Sequence, residues 1–252
     1  MEQEGAWLCP PENLTLRKDK VHVWRAGLRL AAPRLEALRQ TLAEDELNRS
    51  LRFHTRQDRD RFITARGLLR SILGRYLGID PSQVRLCYGA QGKPRLAGQD
   101  GPETIRFNLA HSGDLALYAV TRGREIGVDV ERIRPELVRE PLAERFFSQL
   151  ESAKLRALPV DQQSEAFFAC WTRKEAYLKA RGQGLLALPL DQFEVSLAPG
   201  EPAALLSVQG DEQEPLRWSL QHLSPEQGYA AALAVEGSGW QLECWRWVQD
   251  DA

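Results

Sequence analysis

Residues 125–131 read Glu-Ile-Gly-Val-Asp-Val-Glu, and the rest of the chain arranges itself around them. Ile126, Val128 and Val130 alternate with Gly127, Asp129 and Glu131, the period-two pattern of a half-buried strand. Successive strand side chains point to opposite faces. The three aliphatic residues therefore face a core, and Asp129 and Glu131 share the other face. The charge balance also changes sign here. Residues 1–126 carry 21 basic and 15 acidic side chains, whereas residues 127–252 carry 12 and 20, giving +6 and −8. Such asymmetry is a reason to look for a site between two lobes, 1–126 and 127–252.

Working outward toward the N-terminus, residues 114–121 (DLALYAVT) form a neighbouring strand, with Arg122-Gly123 as the turn. Further strands lie at 20–28 and 84–88, the latter ahead of the turn-rich YGAQGKP (88–94). Pro33 opens a helix through the 30s, and a longer helix runs from about Thr55 to Leu77. Its apolar stripe is Phe62, Ala65, Leu69, Ile72, Leu73 and Tyr76, with Gly78 at the C-terminus. Toward the C-terminus, a helical region spans 136–157 and a strong helix runs from about Ser164 to Arg181, ended by Gly182 and Gly184. Strands follow at QFEVSL, LRWSLQHL, YAAALAV and LECWRWV. The simplest reading is an α+β fold of two lobes, each a long helix on a small antiparallel sheet.

Composition narrows the class. With 252 residues, 43% hydrophobic and 27% charged, the chain supports a sizeable core and is not disordered. No run approaches the ~20 apolar residues of a membrane span, and the acidic, proline-broken start MEQEGAWLCPPEN lacks a signal peptide's pattern. Cys9, Cys87, Cys170 and Cys244 stand singly, as do the four histidines, which argues against a disulfide framework or a Cys/His zinc site. A soluble, cytoplasmic protein is expected. The overall net charge of −2 argues against a surface that is basic throughout.

Five stretches could carry chemistry. Asp129 and Glu131 repel each other, and a divalent cation such as Mg²⁺ would relieve that; alone, the pair reads as a solvated strand face. Glu175 and Lys179, four apart in FFACWTRKEAYLKARGQGL, share a helix face; alone, they read as an exposed i,i+4 pair. Phe107–Asp114 (FNLAHSGD) places His111 at a strand-to-turn junction, and Ser112 beside it cannot complete a Ser-His-Asp triad. Gly89–Pro94 (GAQGKP) lacks the full P-loop pattern and reads alone as a hairpin turn. Finally, residues 49–75 hold eight arginines, with Arg49, Arg52, Arg56 and Arg59 at helical spacing. These suit phosphate recognition or, more plainly, a solvated helix face. No stacking platform accompanies them, so nucleic acid is not the expected partner, and neither is a membrane.

In this order, GKP (92–94), FNLAHSGD (107–114), IGVDVE (126–131) and WTRKEAYLK (171–179) resemble the successive signatures of the 4′-phosphopantetheinyl transferases, of the two-lobed, Sfp-type group. The resemblance covers about residues 49–190 and implies pseudo-twofold lobes with coenzyme A in the cleft between them. It implies transfer of phosphopantetheine to a Ser of an apo acyl, peptidyl or aryl carrier protein, releasing adenosine 3′,5′-bisphosphate. On that resemblance Asp129, Glu131 and Glu175 hold Mg²⁺, and Lys179 contacts the phosphates and stabilises or protonates the leaving group. Arg49, Arg52, Lys93 and His111 bind phosphates, and Pro94, Asn108, Ala110 and Asp129 complete the coenzyme A contacts. Ala110 stands where many members have Ser, which removes one expected hydrogen bond.

The implied mechanism is phosphoryl transfer by positioning and charge neutralisation. Glu175, directly or through a water, is the candidate general base. The carrier and its pathway (fatty acid, polyketide or nonribosomal peptide synthesis) stay open. Part of its docking rim is expected at RPELVREPLAERFFS, with Phe146 and Phe147. A two-lobed chain completes its cleft as a monomer. The alternative is a carrier-binding module of the same fold without catalysis.

Overall fold

Thr55 accepts from the Asp58 amide and opens a 22-residue helix that closes on Gly78 at φ 65°, a left-handed position that Gly adopts without strain. The computed structural model describes residues 6–89, 91–99, 101, 103–137, 140–182 and 188–248. In chain order the elements are β1 (Lys20–Gly27), α1 (Ala32–Gln40), α2 (Glu44–Ser50), α3 (Arg56–Leu77), β2 (Leu86–Tyr88), β3 (Pro94–Leu96), β4 (Ile105–Ser112), β5 (Leu115–Arg122) and β6 (Ile126–Arg132). They continue as α4 (Glu140–Phe146), α5 (Gln149–Ala157), α6 (Val160–Arg181), β7 (Phe193–Val195), β8 (Leu205–Val208), α7 (Glu214–Arg217), β9 (Trp218–Leu223), β10 (Tyr229–Glu236) and β11 (Gln241–Arg246).

The α+β expectation holds, with two main sheets. The first has the order β11-β1-β5-β4 and the second β6-β10-β9; β2–β3 and β7–β8 are separate hairpins. Three apolar clusters show how these stack. Leu68, Leu69, Ile72 and Leu73 of α3 pack on Trp24, Phe107, Tyr118 and Val120 of the first sheet. The opposite side of that sheet (Val21, Val23, Leu115, Leu117, Ala119) meets Ile126, Val128, Val130, Ala231, Leu233 and Val235 of the second. The far side of the second sheet, Ala230, Ala232 and Ala234, receives α6 through Ala176, Ala180 and their neighbours. The layers therefore run helix, sheet, sheet, helix.

At the seam between sheets, side chains of β4 take over the work of a backbone ladder. Asn108 Oδ1 accepts from the Val128 amide at 2.9 Å, and Ser112 Oγ accepts from the Arg132 amide at 3.1 Å. Four residues apart on a strand, Asn108 and Ser112 share a face with buried Ala110, while Leu109 and His111 point the other way.

Several local expectations change. Arg49, Arg52, Arg56 and Arg59 do not lie on one helix: α2 ends at Ser50 and α3 begins at Arg56. α2 itself has no capping side chain at Ala43; Glu46 instead accepts from the Ala43 amide at 3.1 Å. The region 136–157 splits at Ser148, whose capping box with Glu151 starts α5. α6 begins at Val160, a turn before Ser164, with Pro159 at the cap position and no side-chain capping bond. Strand β11 pairs in parallel with β1, so the end of the chain returns to the first sheet. Gly184 lies outside the described residues. Among those described, no helix is long and apolar enough to cross a membrane.

Candidate active site

Gly127 decides how close α6 comes to β6. A Cβ at that position would lie 2.0 Å from the Ala176 carbonyl oxygen and 2.4 Å from the Ala180 nitrogen, distances no side chain tolerates. Gly127, Asp129 and Glu131 share one face, paired across the sheet with Ala234, Ala232 and Ala230. This carpet of small residues lets the helix settle onto the strand. Its stripe of Trp171, Glu175 and Lys179 stays partly exposed, as does the terminal Arg181, while the rest of the last three turns is buried. The two motifs read separately in sequence therefore meet: Lys179 Nζ lies 2.5 Å from Asp129 Oδ1.

Asp129 is buried at 4% exposure, and its Oδ2 has no hydrogen-bond partner. Burial raises its pKa, against the opposing pull of Lys179. Glu131 accepts from Ser112 Oγ at 2.7 Å. Its carboxyl is also raised, first by burial and further by Asp129, with the Ser112 bond opposing. Glu175 is raised by burial and then by the negative charges of Asp129 and Glu131, with Lys179 opposing. Three carboxylates thus feel one another's charge across a strand and a helix. Among the described residues, no three acidic, His or Cys side chains form a ready-made metal cage. The donor set still suits a hard divalent cation: all the donors are oxygens, and one buried carboxylate oxygen lacks a partner.

A cleft of about 290 Å³ opens beside these groups, lined by Gly92, Lys93, Pro94, Asn108, Leu109, Glu175, Lys179 and Gly182. His111 keeps an exposed edge on β4; packing around its ring lowers its pKa first, and the positive charges of Lys179 and Arg61 add to this. Arg61 itself is held by Asp114 at 2.7 Å, which also pairs with Arg29 at 2.6 Å. A smaller apolar pocket of about 160 Å³ adjoins Glu131, lined by Arg134, Leu142, Phe146, Phe167, Phe168 and Trp171. A more distant cavity, about 940 Å³ around Arg34, Arg75 and Trp247, includes none of these groups.

The predicted site residues separate into those gathered and those engaged elsewhere. Asp129, Glu131, Glu175, Lys179 and His111 influence one another's charge. Lys93, Pro94 and Asn108 line the cleft. Asn108 spends its carbonyl on Val128, and Ala110 is buried at 5% in the core between the sheets. Arg49 and Arg52 are exposed, with Arg49 lying 5.6 Å from the Phe62 ring centroid. Of the remaining arginines in the basic block, Arg66 and Arg70 are buried and spent on Glu46, at 2.7 and 2.6 Å. Phe146 lines the apolar pocket, but Phe147 is core, packed 5.0 Å from Phe167, so it cannot serve as a docking rim. Residues 138–139 of that stretch lie outside the described residues. Two contributors escaped the sequence reading: Gly127, whose signal was a Gly inside a strand, and Ser112, hidden behind its turn-forming role.

Residues 125–234 match the family described as the 4′-phosphopantetheinyl transferase superfamily, and residues 31–122 match the 4′-phosphopantetheinyl transferase N-terminal family. The chain is similar to the 4′-phosphopantetheinyl transferase HetI of Nostoc sp., 46% identical over 97% of this chain and 99% of that protein. It is also similar to the 4′-phosphopantetheinyl transferase Sfp of Bacillus subtilis, 33% identical over 62% of this chain and 66% of that protein. Among solved structures, the holo-[acyl-carrier-protein] synthase of Thermotoga maritima overlaps 45% of this chain and 63% of its own, with a TM-score of 0.36 and 24% identity. With carboxylates and lysine meeting where strand β6 passes beneath α6, and with near full-length similarity to a transferase, the chain belongs to the Sfp-type 4′-phosphopantetheinyl transferases.

Proposed function

We propose that this chain transfers the 4′-phosphopantetheine group of coenzyme A to a Ser of an apo acyl, peptidyl or aryl carrier protein, leaving adenosine 3′,5′-bisphosphate. The observation that carries this is the convergence of Asp129, Glu131, Glu175 and Lys179 beside one cleft. Asp129, Glu131 and Glu175 would hold Mg²⁺, which when bound neutralises pyrophosphate charge.

In the transfer, the Ser Oγ forms a bond to the phosphorus that carries pantetheine, and the bond from that phosphorus to the oxygen of the departing bisphosphate breaks. The Ser proton goes to Glu175, whose raised pKa makes it a better acceptor than an ordinary glutamate. Lys179, partly exposed at 31%, turns its ammonium from Asp129 toward the departing oxygen and offsets the charge that develops there. His111, Arg49 and Arg52 meet the phosphates of the adenosine end. Burial and then the charges of Lys179 and Arg61 lower the His111 pKa, and a bound anion would oppose that shift.

The pocket at Phe146 and Trp171, rimmed by Arg134, receives the carrier, whose surface would be acidic around an apolar contact. One copy of the chain supplies every group named, in keeping with a monomer. Cys9, Cys87, Cys170 and Cys244 are all free thiols, in keeping with a reducing, cytoplasmic setting. The test is to incubate the protein with Mg²⁺, coenzyme A and an apo carrier, then weigh the carrier. A gain of one phosphopantetheine is expected, and no gain across acyl, peptidyl and aryl carriers overturns the reading.

A further inference from the structure

Lys93 sits in the first lobe, between β2 and β3, but its ammonium reaches into the second. Nζ donates to the Ala180 carbonyl at 3.0 Å, to the Ile126 carbonyl at 3.1 Å and to Glu125 Oε2 at 3.2 Å. An ammonium has three N–H donors, so all of them are committed. The side chain is only 11% exposed. The acceptors sit at telling places. Ala180 is in the last turn of α6, directly after Lys179, where helix carbonyls lack intrahelical partners. Ile126 opens β6, three residues before Asp129. Gly182, at φ 68°, turns the chain away just beyond, and a Cβ there would lie 3.6 Å from Lys93 Cδ.

We propose that Lys93 is a positioning residue that clamps the C-terminal end of α6 to the start of β6, holding Lys179 over Asp129, and does not bind the phosphates of coenzyme A. Its ammonium lowers the energy of orphaned helix carbonyls and crosses the lobe boundary at the point where misplacement would disturb Lys179 most. Burial lowers its pKa, a cost that a phosphate ligand waiting in an open cleft would not bear. Glu125, which also faces Arg106 at 3.6 Å, offsets part of the ammonium's charge.

This inference rests on the transferase reading for its kinetic arm only. Lys93→Met, Lys93→Arg and the wild type would be compared in three measurements. These are amide exchange at residues 178–182 in the free protein, coenzyme A affinity by calorimetry with Mg²⁺, and transfer kcat at saturating coenzyme A. For Lys93→Met, exchange should quicken at least about tenfold and kcat should fall about 10- to 100-fold, since misplacement near 1 Å costs that much. The Kd for coenzyme A should stay within about threefold, and Lys93→Arg should recover part of kcat. A Kd raised tenfold or more with exchange and kcat unchanged makes Lys93 a phosphate ligand and overturns the clamp, and so does unchanged exchange alone. Should Lys93→Met not fold, Glu125→Gln must show the same pattern in smaller measure, and unchanged exchange in it also overturns the proposal. If the wild type modifies no carrier, the transferase reading fails while the exchange measurement still decides the clamp.

Discussion

Each of the two main sheets carries a 22-residue helix, but the helices sit at different distances and the charges around them are treated differently. In the first, α3 stands off the sheet on Leu68, Leu69, Ile72 and Leu73, which fill the space against Trp24, Phe107 and Tyr118. Its buried charges are partnered, because Arg66 and Arg70 share the Glu46 carboxylate and give further donors to Tyr88 and to the Pro81 and Val84 carbonyls. In the second, α6 drops onto Gly127 and a row of alanines, which brings Lys179 to 2.5 Å from Asp129. There the negative charge is left under-compensated, with burial raising Asp129, Glu131 and Glu175 together. Around α6 some charges are paired in the same way, Lys174 with Glu151 at 2.8 Å. The carboxylates at Asp129 are instead left for a ligand to relieve, as sites of function do.

Closing distance is the sharpest part of this contrast. Gly127→Ala forces backbone apart, so it should lower stability by ~3 kcal/mol, the upper range for overpacking. Carrier modification by the remaining folded protein should fall by at least ~100-fold. Gly67, where a Cβ meets only the Leu38 side chain at 2.6 Å, provides the control in the first lobe. Gly67→Ala should cost ~1–3 kcal/mol yet leave kcat unchanged. Parallel thermal unfolding and transfer assays check both, and equal kinetic defects in the two variants would erase the distinction.

The next effect concerns Lys179. Lys179→Ala should reduce kcat ~10²–10³-fold, while Mg²⁺ binding in the absence of coenzyme A tightens, because the ammonium no longer competes for Asp129 Oδ1. Calorimetric titration with Mg²⁺ reads the second effect. Unchanged metal affinity would show that Lys179 and the cation do not share that oxygen.

Glu175→Gln should lower transfer ~10²–10⁴-fold, without rescue by excess Mg²⁺ if the carboxylate is the base. Its effect on stability has the opposite sign. A carboxyl whose native pKa is raised lets the folded state hold more protons, so stability falls as pH rises from the ordinary glutamate value through the native one. The metal-free variant should therefore melt above wild type at pH 7, with the gap closing toward about pH 4. Melting curves across that range check it, and a gap independent of pH would remove the charge argument.

The smallest effect belongs to the exposed arginines of the first lobe. Arg49→Ala should raise KM for coenzyme A ~10-fold at low salt, less as salt screens it, and leave kcat near wild type. Initial rates at two ionic strengths decide it, and a kcat effect larger than the KM effect would move Arg49 into the reaction centre.

Legibility in the sequence followed the range of each signal. Helix α3 was readable end to end because Thr55 and Gly78 announce its termini locally. Helix α2 was not, because Ala43 carries no capping group and its first turn is secured by Glu46, which also serves Arg66 and Arg70 from another helix. The alternation in β11 marked a strand but could not name its partner, and hydrogen bonding to β1 joins residues more than 200 positions apart. The arginine block looked uniform in sequence, yet the fold buries two of its members against Glu46 and leaves Arg49 and Arg52 exposed.

By itself, the sequence determined which residues share a face: Asp129 with Glu131 on a strand, and Glu175 with Lys179 on a helix. Those relations follow from backbone periodicity, which is local. The tertiary structure alone decided that the two faces confront each other, that Asn108 and Ser112 stitch the sheets together, and that Lys93 reaches the end of α6. Such encounters depend on how closely two elements can pack. Here that was set by the side chain Gly127 lacks, and its consequence appears only once the helix lies above it.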